Sequence, residues 1–253
     1  SLVVVNRIVF LAGGIAHAAY GGIGLAFFMG WPFVAGTTGV SLLAAGVMAA
    51  VTLKAKHRAD AVVGVIWAVG MAAGVILLDL TPGYHVDLMS YLFGSILAVP
   101  AEDLWQMVVV GAAVILVVAW HYNDFLAMSY DDEFARLRNV PVALLYCLLL
   151  GMIALTVVMI IRVVGLILVI ALLTIPPFIA EKFTASLRAM MALSAVLSCI
   201  FTVTGLWLSY WWNLTSGATI IMVAAAGFFA ALLWDRLRPR GGTVAARAPG
   251  NTP

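Results

Sequence analysis

The chain has 253 residues, 65% of them hydrophobic and 9% charged, with a mean hydropathy of +1.14. A water-soluble domain carries about a quarter charged residues, so the composition excludes most soluble enzymes and points to a membrane. A net charge of +2, with no basic tract interleaved with aromatics, leaves no footprint for nucleic acid.

A spanning helix needs about 20 mostly apolar residues. In chain order that criterion picks out eight segments, 8–28, 33–53, 60–79, 104–121, 142–161, 163–180, 190–212 and 217–234. They are apolar nearly all round, with Gly and Ala scattered through them as close helix packing in lipid requires. None alternates with period two, which excludes a barrel. The predicted fold is an all-α polytopic transmembrane bundle whose short connections make sequential helices antiparallel neighbours. Ser1 stands where a Met is usual and an apolar stretch follows at once, so the sequence reads as starting partway through a longer chain. Residues 84–100 are apolar but short and include His85 and Asp87, which predicts an interfacial or re-entrant helix. Residues 122–139 form the longest polar stretch before the tail and predict a short amphipathic helix. The transmembrane domain thus covers 1–240, and 241–253 reads as a disordered tail. Cys147 and Cys199 lie in apolar runs and imply neither a disulfide nor a metal site.

Orientation follows from Lys and Arg. If Arg7 faces the cytoplasm and the spans alternate, all 13 Lys and Arg except Arg162 fall on the inner side. Asp79, Asp87, Glu102 and Asp103 fall outside, giving an acidic outer face that favours cations. His85, Asp87, Glu102 and Asp103 either line that entrance, meet a substrate-delivering protein, or are simply interfacial polar groups.

Inside the spans, His17 demands a reason. It lies ten residues after Arg7, about 15 Å into a core roughly 30 Å thick. Gly13 and Gly21, four residues to either side, leave room beside the ring for another helix or an ion path. Intramembrane ionisable groups are functional by default; the competing reading is a packing hydrogen bond. Asp60 opens a span and suits its N-terminus. Glu181 and Lys182 at an inner helix end are expected to snorkel, and Pro176-Pro177 to kink or end the sixth span.

Six stretches, in order and spacing, resemble one family. They are Gly14-Ile-Ala-His17-Ala-Ala-Tyr-Gly21, His57-Arg-Ala-Asp60-Ala-Val-Val-Gly64, Asp87-Leu-Met-Ser-Tyr-Leu-Phe-Gly94, Tyr130-Asp-Asp-Glu-Phe-Ala135, Val164-Gly-Leu-Ile-Leu-Val169 through Ile175-Pro-Pro177, and Ser216-Gly-Ala-Thr-Ile-Ile221. Together they resemble the membrane permease subunit of ABC importers for zinc, manganese or iron(II). The resemblance implies a multi-pass protein of the bacterial cytoplasmic membrane, one further helix before Arg7, and a homodimer enclosing one path. It also implies an ATP-binding subunit on the cytoplasmic side and an extracytoplasmic metal-binding protein. His17 falls at an intramembrane metal ligand of the family, whose Asp and Ser partners are replaced here by Gly13 and Ala16. One imidazole is too little for tetrahedral Zn²⁺, so other helices or water complete the coordination, or contacts are transient. Losing the carboxylate puts zinc ahead of manganese or iron.

The segment 122–140 resembles the family's coupling element. Ser129 or Asp131 can cap a short helix, Asp132 and Glu133 suit its start, and Arg136 and Arg138 its end. Ala135 is the small residue of the pattern, and Asn139 replaces the usual helix-ending Gly. No Walker loop, His-Glu-x-x-His or Gly-x-Ser-x-Gly occurs, so the expectation is a transport subunit with no bound cofactor, whose ATP is hydrolysed on another chain. The alternative is an ion-coupled secondary transporter, needing neither coupling element nor ATPase.

Overall fold

The computed structural model describes residues 1–55, 59–82, 94, 96 and 99–237. The described elements are all helical. A short α1 (Leu2–Val5) precedes α2 (Val9–Met29), α3 (Phe33–Lys54) and α4 (Ala59–Asp79). Then come α5 (Ala101–Trp120), α6 (Tyr122–Tyr130), α7 (Asp132–Leu137), α8 (Val142–Val164), α9 (Leu166–Phe183), α10 (Leu187–Trp212) and α11 (Ser216–Leu237). Among the described residues, 8 helices are long and apolar enough to cross a membrane, from α2 to α5 and from α8 to α11. These are the eight segments read from hydropathy, with ends moved by a few residues. Residues 84–93 of the expected interfacial helix, including His85 and Asp87, and the tail 241–253 lie outside the described residues.

The bundle is built around α2, which packs closely against α3 and α4 and also touches α8 and α9. Helix α5 lies against α8, and α10 and α11 join α9. Small residues set the closest seam. A Cβ added at Gly21 would lie 2.8 Å from the Gly70 carbonyl oxygen, and one at Gly24 2.5 Å from that of Gly74. At these points α2 and α4 are in backbone contact, which only glycine permits.

Alternation of the spans is visible in one cavity of about 830 Å³, whose walls include Arg7, Thr52, Asp60, Ser129, Arg136 and Glu181. These residues come from ends of six helical segments or the turns beside them, so those ends share one face, called here the Arg7 face. Arg7 itself has φ 57° in the tight link between α1 and α2. Asn6 donates its side-chain amide to the Leu2 carbonyl and to Ser129 Oγ, the latter at 2.9 Å across 123 residues of sequence. The entrance to α2 is thereby fixed to the end of α6.

Three expectations change. The polar stretch is two helices rather than one, because Asp131 is extended (φ −153°, ψ 97°) and caps the second. Of the two outcomes offered for Pro176-Pro177, a kink or an end, the end is excluded: both lie buried inside α9, which runs on to Phe183. Its real break is at Gly165, whose φ of 82° and ψ of 162° form the single-residue joint between α8 and α9. Lys182 does more than snorkel. Its Nζ lies 2.7 Å from Asp235 Oδ2 on α11 and over the Phe178 ring.

Candidate ion path and coupling helix

His17 is the ninth residue of the 21-residue α2, about 12 Å from its start. The residue is buried, with 9% exposure. Its Nδ1 lies 2.8 Å from the Gly13 carbonyl oxygen. A carbonyl can only accept, so Nδ1 carries the proton, and the lone pair of the neutral ring stays on Nε2. The ring stacks on Trp67 of α4, with centroids 3.7 Å apart and planes inclined by 23°. On its other side the indole reaches Phe10, at 5.8 Å between centroids.

The room expected beside Gly13 and Gly21 is therefore filled by another helix. A Cβ at Gly13 would stand 3.5 Å from Trp67 Cζ3, and Gly21 meets Gly70. Within the described residues no group of three or more His, Cys, Asp or Glu converges as a metal-binding cluster. His17 stands with a ring nitrogen and an aromatic wall, and the carboxylates lie elsewhere. Glu102 and Asp103 occupy the first turn of α5, at the end of the bundle opposite the Arg7 face.

The second constellation is gathered as the sequence implied. Asp131 is the N-cap of α7, its Oδ1 accepting from the Phe134 backbone N–H at 2.9 Å. Asp132 and Glu133 fill the first turn, and Asp132 lies 3.9 Å from Arg136. Asn139 adopts φ 59°. Its N–H donates to the Arg136 carbonyl and that of Val140 to the Ala135 carbonyl, closing the helix with a Schellman motif. Ala135 faces inward with no exposed surface, whereas Tyr130, Phe134 and Leu137 are exposed at 68%, 51% and 83%. Phe134 and Leu137 on α7 and Tyr130 at the end of α6 thus present large apolar side chains beside charged ones on the surface.

Over residues 1–235 the sequence matches the ABC 3 transport family. The chain belongs to that family. It is 48% identical over 236 residues to an uncharacterized membrane protein of Synechocystis sp., covering 93% of this chain and 84% of the relative. It is 31% identical over 234 residues to the manganese transport system membrane protein MntC of Listeria monocytogenes, covering 92% and 83%. A chain of PsaBC from Streptococcus pneumoniae in complex with Fab superposes with a TM-score of 0.81 at 28% identity, covering 91% and 83%. With eight apolar helices among its described residues, this ABC 3 family chain is a multi-pass protein of the bacterial inner membrane.

Three contacts of the ABC 3 family chain escape sequence reasoning: Trp67 on His17, Asn6 on Ser129 and Lys182 on Asp235. Each joins distant segments, and helices apolar all round carry no marker of which face meets which neighbour. A signal existed for Trp67, since tryptophan in a span belongs near the membrane interface and this one is mid-span.

Proposed function

We propose that this chain is the membrane-spanning permease subunit of an ABC importer that moves a divalent transition-metal ion into the cytoplasm, powered by ATP hydrolysis on a separate subunit. The family match over residues 1–235 carries this reading, and relatives named for manganese or metal transport support it. Those names bring manganese level with zinc, correcting the preference drawn from Gly13 alone. In this reading the Arg7 face is cytoplasmic, and the acidic first turn of α5 faces an extracytoplasmic metal-binding protein. Two copies enclose one path, and His17 offers its Nε2 to the passing ion.

Helix α7, with Asp131, Asp132, Glu133, Ala135 and Asn139, is the knob that docks on the ATPase. Its two caps make it rigid enough to carry a displacement, and its exposed Phe134 and Leu137 supply the apolar contact. No observation favours the secondary-transporter reading, which leaves such a capped, outward-facing helix without a role.

The decisive experiment is uptake by the complex reconstituted with its ATPase and binding protein, against a panel of Mn²⁺, Zn²⁺ and Fe²⁺. Wild type should accumulate at least one of these ions only with ATP, and His17→Ala should lose that uptake while remaining folded. ATP-independent uptake would overturn the importer, and full uptake by His17→Ala would remove His17 from the path. Charge reversal at Asp131 and Glu133 should uncouple hydrolysis from uptake or release the ATPase. Unchanged assembly and uptake would make α7 a mere connector. Cysteines placed at 103 and 132 should label from opposite sides of the membrane.

A further inference from the structure

Seven of the eight tryptophans lie within about two turns of a span end or just beyond it, where an indole can meet the interface. Trp67 is the exception, in the middle of the 21-residue α4. Its surroundings on α2 are cut to its shape. Phe10, Gly13 and His17 fall on one face at helical spacing. The missing side chain at Gly13 lets the indole lie along α2, 5.8 Å from the Phe10 ring centroid and 3.7 Å from that of His17. Helices α2 and α4 run parallel with their glycines in contact at Gly21–Gly70 and Gly24–Gly74. The two rings are therefore held at one depth by a backbone seam that cannot slide freely.

We propose that Trp67 is the positioning residue of the His17 ion site. It holds the imidazole plane so that Nε2 is presented to the ion. The inference rests on His17 being the ion ligand of the proposed permease, and adds what makes a single imidazole usable. One face of the ring is covered by the indole, and Nδ1 is committed to the Gly13 carbonyl. Rotation of the ring would break both contacts, so the orientation of Nε2 is fixed before the ion arrives. An ion on Nε2 draws charge out of the imidazole, and an electron-poor ring stacks more strongly on indole than a neutral one. Trp67 thus favours the loaded state over the empty one. A Cβ at position 13 would stand in van der Waals contact with Cζ3, at 3.5 Å, so a branched side chain such as valine crowds the indole.

The test uses the full chain in lipid nanodiscs, with Zn²⁺ as the binding probe and ¹⁵N-histidine spectra as the readout of ring state, His17 being assigned by its loss in His17→Ala. Wild type should show a single His17 tautomer protonated at Nδ1, with the Nε2 resonance shifting on Zn²⁺ addition. Trp67→Leu keeps an apolar side chain but no aromatic face, and should weaken Zn²⁺ binding about tenfold and mix the two tautomers. Trp67→Phe should restore binding to within about threefold of wild type and a single tautomer. Gly13→Val, which leaves Trp67 in place but pushes the indole aside, should reproduce the Trp67→Leu loss and keeps the test open should Trp67→Leu fail to fold. Wild-type Zn²⁺ affinity and an unmixed tautomer in Trp67→Leu or Gly13→Val overturn the role of Trp67. If His17→Ala abolishes binding in that case, the ion reading of His17 survives alone; if it does not, both fall.

Discussion

Helices α2 and α5 are almost the same length and both amply apolar, yet they have opposite fates. In the most apolar 18-residue stretch of α2, 83% is buried inside the protein, whereas for α5 the share is 0%. Apolarity does not explain the difference, since the buried α2 is the less apolar of the two and lipid is as apolar a solvent for a side chain as the protein interior. Residue size does separate them. Helix α2 carries Gly13, Gly14, Gly21, Gly22 and Gly24 among its alanines, and four of these five would be overlapped by a neighbour if given a side chain. In α5 the single Gly111 has nothing within 4 Å, and Val, Ile and Leu face outward. In a membrane bundle, then, small residues mark the centre and large ones the rim.

The sharpest way to break that contrast is to put one side chain in both places. Gly24→Leu should destabilise the bundle by about 3 kcal/mol or more, since even its Cβ collides with the Gly74 backbone, and should prevent accumulation of folded protein. Gly111→Leu should stay within about 0.5 kcal/mol of wild type in thermal unfolding. Equal damage from the two would end the distinction.

The same rule is sharpened on the Arg7 face by Ala135, fully covered, and Leu137, 83% exposed. Ala135→Trp should lower the unfolding midpoint by the equivalent of about 2 kcal/mol and displace α7. Leu137→Ala should leave stability unchanged and, if α7 docks on the ATPase, weaken only that docking in a pull-down. Polar ties come next. Asn6→Ala removes the bond to Ser129 and should cost about 1 kcal/mol. It should also raise amide exchange at the start of α2. Smallest is Lys182→Met, which breaks a pair with Asp235 whose side chains are 23% and 59% exposed. About 0.5 kcal/mol is expected there, and less at high salt.

Much of this architecture was legible in the sequence, and the limits have physical causes. The spans were readable because length and apolarity are local properties. The caps of α7 were readable because Asp131 and Asn139 act within four residues of themselves. The division of 122–139 into two helices was only half legible, since Ser129 and Asp131 both offered a cap and only the structure shows Asp131 taking the Phe134 N–H. His17 stood out as an ionisable group at mid-depth, but its stacking partner is fifty residues on, along a helix with no polar face to fix its rotation. For Pro176 and Pro177 the sequence left a kinked helix and a helix end both open. Both rings are buried inside the bundle, where packing decides what backbone preference alone would forbid.

The joint at Gly165 has a mechanical consequence. Helices α8 and α9 meet through one residue, with no length of loop between them, and the chain reverses on the φ and ψ of that glycine alone. A loop acts as slack and lets two struts move separately; a one-residue joint transmits displacement. Gly94 closes against it so tightly that a Cβ there would strike the Val163–Gly165 backbone, so even those two torsions are confined. With no slack at this joint, a tilt of α9 at its Phe183 end is felt directly at the end of α8.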